Sequence, residues 1–278
     1  MDTIILSLGE KCNNYCVMCY NPKFTKNEPS LEEIKREIDG IDKFNSIYLT
    51  GGEPTIRPDI LDIIYYIKKK NDEAEINIFT NGRMFYYYNF AKKIVNSGVF
   101  KYIIPLHGSK PEVHDRVTKF PGSFRQTVKG IENLLILGAR VDIRIVTHKL
   151  NYIELPNIAK FISNFLGGID SVIIFPIDII GDAYINREKV VATYTQIAPY
   201  VEKAIDILNE NQFVVKLFHI PFCVIGKKYW SHLKGVTTED VKLASTTQCK
   251  KCTKRGSCPK IWKSYAKNIG THEFKPIF

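Results

Sequence analysis

The chain has 278 residues, 45% of them hydrophobic and 24% charged, with a net charge of +10. That balance fits one large or two modest globular units and excludes a disordered tail or a fibre. The longest nearly uncharged apolar stretches, Asn133–Ala139 and Ser171–Ile177, fall far short of the roughly 18 residues a membrane helix needs. The expected location is therefore the cytoplasm. In chain order, Thr3–Leu8 reads as a short apolar strand followed by a cysteine-bearing loop, and Ser30-Leu-Glu-Glu33 as a capping box opening a helix to about Asp39. Ser46–Thr50 is a second strand ending in Gly51-Gly52-Glu53-Pro54, and a helix runs from Pro58 to about Lys70. Strands follow at Glu75–Thr80, Lys101–Leu106, Val141–Thr147 and Ser171–Phe175. The helices between them are Phe85–Asn96, a stretch from a second capping box at Ser123 to about Leu137, and Pro156–Phe165. Val190–Asn209 reads as one long helix despite Pro199, and Phe213–Phe218 as a strand.

Strands joined by helices at this spacing should be parallel, because a parallel pair needs a long crossover. The expected fold is α/β: a partial (β/α)6 barrel over residues 1–180, a helical bridge over 181–212, and a small cysteine-bearing domain over 213–278. The apolar content of that last segment is too thin to support a core alone. It is also strongly basic. Gly226–Lys267 holds eleven Lys and Arg against Glu239 and Asp240, a local charge of +9 that leaves +1 for the rest. Such a run is either a solvated surface or a dock for something anionic.

The seven cysteines form two groups, Cys12, Cys16, Cys19 and Cys223, Cys249, Cys252, Cys258, with none in the 203 residues from Tyr20 to Phe222. Nothing marks the chain for export, so disulfides are not expected, and two metal sites explain the clustering economically. Three thiolates on the tight loop Cys12-x3-Cys16-x2-Cys19 can hold three irons of a [4Fe–4S] cube and leave the fourth open. Zinc would need a distant fourth ligand, since the first histidine is His107. The later four suit one fully ligated [4Fe–4S] cluster, with a four-thiolate zinc site as the alternative, and Cys223 could instead stay unligated. Active sites of parallel barrels lie at the carboxyl ends of the strands. The polar motifs stand at those ends: Gly51 and Gly52, whose lack of a side chain permits close backbone approach, Glu53, Asn81, His107 and His148. Arg144, inside an apolar strand, needs an anionic partner.

The cysteine triplet after strand one, Gly51-Gly52-Glu53-Pro54 after strand two, and the partial barrel together resemble the radical S-adenosylmethionine superfamily. The resemblance implies that Cys12, Cys16 and Cys19 hold a [4Fe–4S] cluster whose open iron chelates S-adenosylmethionine. One electron then releases a 5′-deoxyadenosyl radical that abstracts hydrogen. It also implies that Glu53 meets the methionyl ammonium, Arg144 its carboxylate, Asn81 the ribose, Tyr20 the neighbourhood of the adenine, and His107 the substrate. Cys223, Cys249, Cys252 and Cys258 are similar to the auxiliary-cluster appendages called SPASM or twitch domains. The stretch from Lys101 to the end resembles radical maturases of His-Xaa-Ser systems, although Pro259 stands where those have glycine. The implied substrate is a ribosomally made peptide or protein undergoing epimerisation or C–C or C–S crosslinking, with a reductant such as flavodoxin or ferredoxin. A transfer RNA or small-molecule substrate is the second reading, and a zinc-stapled binding protein the third.

Overall fold

The computed structural model describes residues 3–20, 28–237 and 240–278. Seven parallel strands form one sheet in chain order: β1 (Thr3–Ser7), β2 (Ser46–Thr50), β3 (Glu75–Phe79), β4 (Val99–Pro105), β5 (Val141–Thr147), β6 (Ser171–Pro176) and β7 (Val215–Leu217). The connections carry α1 (Leu31–Asp39), α2 (Ile60–Lys70), α3 (Tyr88–Asn96), α4 (Pro111–Thr118), α5 (Ser123–Ile136) and α6 (Leu155–Phe165). Two one-turn helices, α7 (Asp182–Ile185) and α8 (Arg187–Val190), precede α9 (Tyr194–Glu210). Each crossover advances the chain by one strand in the same direction, as in a barrel wall, but β1 and β7 are not neighbours and the sheet stays open.

Strand side chains alternate between two faces. One set, including Leu6, Leu49, Ile78, Ile104, Ile143 and Ile174, is fully buried in the main core under the helices. The other face is partly polar. Near the amino ends of the strands Lys101 pairs with Asp142 and Asp170, each at 3.3 Å, and Ser171 donates to Asp142 at 2.6 Å. Toward the carboxyl ends the same face carries Phe79, Arg144 and Phe175, which leaves this end for chemistry.

The first capping box is present at Ser30 and Glu33. The second is not at Ser123. That hydroxyl donates to Asp115, whose carboxylate also takes the backbone N–H of Gly122 and Phe124. A capping box forms instead at Thr193 and Gln196, so α9 starts four residues later than expected and keeps Pro199 inside. The larger correction concerns β7. It pairs in parallel with β6 through Ile173↔Lys216 and its neighbours, so the sheet has seven strands, not six. The expected boundary at residue 213 therefore falls inside the main sheet. Beyond it, β8 (Leu243–Ala244) pairs antiparallel with β9 (Ile261–Trp262), followed by α10 (Lys263–Asn268). Leu243, Trp262, Tyr265 and Phe274 share a cluster with Phe175 and Ile179 after β6 and with Tyr194 and Ile197 of α9. The segment thus gains a core by borrowing one wall from the barrel. Among the described residues, no helix is long and apolar enough to cross a membrane.

Candidate active site and cysteine centres

The loop carrying Cys12, Cys16 and Cys19 leaves the carboxyl end of β1 and is tied down by backbone from remote parts of the chain. Gly52 N–H donates to Gly9 O at 2.9 Å and Glu53 N–H to Lys11 O at 2.8 Å, continuing the β1–β2 ladder past the strands. Tyr15 and Val17 N–H donate to Thr118 and Val117 at the end of α4, and Asp182 N–H to Cys19 O. This register explains the glycine pair. A Cβ on Gly51 would stand 2.4 Å from Gly9 O, and one on Gly52 2.1 Å from Lys11 O. Gly51 also holds φ at +139°, where side chains are rarely tolerated. The close approach that requires glycine here is to the cysteine loop itself, whereas the sequence suggested a ligand.

Glu53 is engaged in the same way. It is 2% exposed, and its carboxylate accepts from Thr55 N–H (3.1 Å), Thr55 Oγ1 (2.5 Å), Thr80 Oγ1 (2.6 Å) and Asn81 N–H (2.6 Å). Three of these donors go to Oε1 and one to Oε2, so Glu53 joins the ends of β2 and β3 beneath the cysteine loop and keeps one acceptor position on Oε2. Burial pushes its carboxyl up, and the donors pull against that.

Asn81 is likewise engaged locally. Its amide donates to Asn13 Oδ1 at 2.6 Å and reaches Cys12 Sγ at 3.9 Å, while its Oδ1 accepts from Arg83 N–H. It braces the cysteine loop where a ribose contact was expected. Arg83 escaped the sequence reading. Its guanidinium donates to Asn13 O, to Asn14 Oδ1 at 2.8 Å and to Gln126 at 2.7 Å, and lies 3.7 Å over the Phe120 ring. Glu28 also escaped, with a carboxylate that accepts from Glu10 and Lys11 N–H, both at 2.7 Å. Neither has a local motif to betray it, since both act on loops distant in sequence. Beside them a cavity of about 270 Å³ is lined by Gly9, Lys11, Glu28, Gly52, Glu53 and Arg57.

At Cys12, burial and the nearby Glu53 push the thiol up to about 11, against hydrogen bonds from Asn14 N–H and Asn81. Tyr20 is 58% exposed, with the Lys242 ammonium 5.5 Å over its ring and 3.2 Å from its hydroxyl. Arg144 lies between the rings of Phe79 (5.1 Å) and Phe175 (4.2 Å). Burial pulls its guanidinium down to about 10, and no carboxylate of the described residues pairs with it. His107 is 3% exposed and packs against His114 and His148, with ring centroids 5.2 and 6.2 Å away. Its Nδ1 and His148 Nε2 have no partner, and burial holds all three rings neutral.

Cys223, Cys249, Cys252 and Cys258 line a single cavity. Every one of these sulfurs meets a backbone N–H. Thr246 donates to Cys249 and Ile277 to Cys252, both at 3.4 Å; Lys275 reaches Cys223, and Phe222 and Lys260 reach Cys258. Amide donors around sulfur are a feature of iron–sulfur ligation and tune its potential. Among the described residues no three Cys, His or carboxylate groups stand close enough to hold a single ion.

The family model of the radical SAM superfamily matches residues 6–162, more than half the chain. The chain belongs to the radical SAM superfamily. Members of this superfamily use a [4Fe–4S] cluster and S-adenosylmethionine. Among curated relatives, the Fe-coproporphyrin III synthase of Methanosarcina barkeri is 32% identical over 161 residues, covering 56% of this chain and 39% of that protein. A probable GTP 3′,8-cyclase of Thermococcus kodakarensis is 32% identical over 162 residues, covering 56% and 51%. The matched part thus spans about half the length of these relatives or less. In fold, the radical SAM chain is similar to Streptococcus suis SuiB bound to precursor peptide SuiA, with a TM-score of 0.60 at 13% identity over 76% of this chain and 46% of that one. It is also similar to coproporphyrinogen III oxidase HemN of Escherichia coli, with a TM-score of 0.58 at 14% identity over 77% and 53%.

Proposed function

We propose that this chain reductively cleaves S-adenosylmethionine and abstracts hydrogen from a ribosomally made peptide or protein, leading to epimerisation or to a C–C or C–S crosslink. Cys12, Cys16 and Cys19 would hold a [4Fe–4S] cluster, with Asn14 N–H and Asn81 Nδ2 donating to the Cys12 sulfur. When bound, that cluster and S-adenosylmethionine supply the one-electron chemistry that generates a 5′-deoxyadenosyl radical. Arg144, a half-buried cation between two aromatic rings with no carboxylate partner among the described residues, would take the methionyl carboxylate. His107 lies deep at the end of β4, where its unpartnered Nδ1 would meet the substrate or a bound water. Tyr20, beside Cys19, would border the adenine, and Glu53 and Asn81 hold the loop in place. Cys223, Cys249, Cys252 and Cys258 would carry an auxiliary [4Fe–4S] cluster over 218–278, and the barrel would end with β7.

The observation that carries a peptide substrate is the open sheet, read with what a similar fold binds. β1 and β7 do not pair, so the sheet does not close on itself, and SuiB, whose fold is similar, is bound to a precursor peptide. A small-molecule substrate is the second reading, favoured by the likeness to proteins named GTP 3′,8-cyclase. Anaerobic incubation with dithionite, S-adenosylmethionine and either GTP or short peptides encoded beside the gene separates the two. A mass change in a peptide is expected, and conversion of GTP alone would overturn the peptide reading.

A further inference from the structure

The cavity of the four cysteines is ringed by cations that nothing in the proposed chemistry uses. Lys254, Arg255, Lys260 and Lys275 line it together with the cysteines, and Lys250 and Lys251 stand between Cys249 and Cys252 on the loop that forms its wall. From Val241 to His272 the sequence has eight Lys and Arg and no Asp or Glu. Lys250, Lys251, Arg255 and Lys275 are exposed and make no ion pair among the described residues. Lys254 instead places its ammonium 5.4 Å over the Trp230 ring. A [4Fe–4S] cluster on four thiolates carries about −2 in its oxidised state, so six surrounding cations leave a clear surplus of positive charge. An isolated surplus of this kind repels itself, and a binding partner of opposite sign relieves it while steering association.

We propose that Lys250, Lys251, Arg255 and Lys275 form the docking collar for a small acidic electron-carrier protein, which delivers electrons to the four-cysteine site. The inference rests on reading that cavity as a cluster site. Once held by the four thiolates, a cluster there would take one electron from the reduced carrier and would pass one on to the first centre, with no bond or proton changing place. The cysteines are half-buried in the cavity that Arg255 and Lys275 also line, so a carrier seated on these cations stands close to the acceptor. A nucleic acid would be served better by a stripe of cations that follows a backbone. Here the unpaired charges gather around one redox cavity.

The test compares the reconstituted wild-type holoenzyme with K250E/K251E/R255E, using an acidic flavodoxin as the probe. Binding of flavodoxin at low salt should weaken at least about tenfold in the variant, and in wild type it should fall comparably as salt approaches about 0.5 M. Carbodiimide crosslinks from Lys250 and Lys251 to flavodoxin should be lost. Formation of 5′-deoxyadenosine driven by flavodoxin should drop about tenfold, while that driven by dithionite stays within about twofold of wild type. Flavodoxin binding that is unchanged in the variant would overturn the docking proposal, as would tight binding of a transfer RNA that the substitutions abolish when flavodoxin never bound. An equal loss with both reductants would also overturn it. Absence of iron from the wild-type cavity would instead bring down the cluster reading, and flavodoxin binding would still be measured separately.

Discussion

Cys12, Cys16 and Cys19 sit on a loop fixed by the barrel, whereas Cys223, Cys249, Cys252 and Cys258 sit on a segment that shares a core with the barrel but frames its sulfurs with its own backbone. The first loop accepts backbone hydrogen bonds from the end of β2 and the start of α7 and donates to the end of α4, and Arg83 and Asn81 clamp it from the end of β3. Around the second group the amide donors come from Phe222, Thr246, Lys260, Lys275 and Ile277, all in the same tail, whose described regular structure is two short strands, one α-helix and three short 3-10 helices. A geometry determined by a folded sheet persists without its metal. A geometry assembled by cysteine-bearing loops needs the metal for its stability.

The sharpest way to break this contrast is by removing one cysteine from each group. Cys16→Ala should abolish dithionite-driven formation of 5′-deoxyadenosine, a loss of more than about a thousandfold, and remove roughly half the iron. Its melting temperature should hardly change. Cys252→Ala should leave the barrel folded but render the segment beyond residue 240 sensitive to protease. Limited proteolysis followed by mass spectrometry reads this, and equal protection in both variants would erase the distinction. Next in size is Glu53→Ala, which strands its donors at the β2–β3 junction and should cost about 3 kcal/mol in chemical denaturation. Gly52→Ala meets Lys11 O at 2.1 Å and should cost about 2 kcal/mol while lowering iron at the first site.

The smallest effect per group is on pH, and four buried histidines share it: His107, His114 and His148 in the barrel and His219 in the tail. Burial holds His114 of the barrel at about 3 and His219, stacked 3.7 Å from Trp262 of the tail, at about 4. Both lie below the unfolded value of about 6.5, so the unfolded chain binds more protons between those limits. Stability should therefore fall as pH drops below about 6.5, by about 1 kcal/mol per group over the first unit. His219→Gln should remove part of that slope, which denaturation at stepped pH will show.

Most strands were legible because buried apolar runs between glycine and asparagine signals leave few alternatives, and the four later cysteines, grouped in sequence, do line one cavity. What local reading missed was cross-chain use of side chains. Glu53 and Asn81 stand at strand ends as ligands would, yet their hydrogen bonds go to neighbouring loops. Arg83 and Glu28 have no signature because their partners lie 69 or 70 and 17 or 18 residues away. Strand β7 looked like the start of an appendage because only its register with β6 assigns it to the sheet.

The open iron proposed at Cys12, Cys16 and Cys19 has a direct test. In a Cys249→Ala/Cys252→Ala variant, which isolates that centre, the electron paramagnetic resonance spectrum of the dithionite-reduced protein should shift when S-adenosylmethionine is added, because three thiolates leave one iron for it. A spectrum indifferent to S-adenosylmethionine, or zinc where iron is expected, would contradict the account.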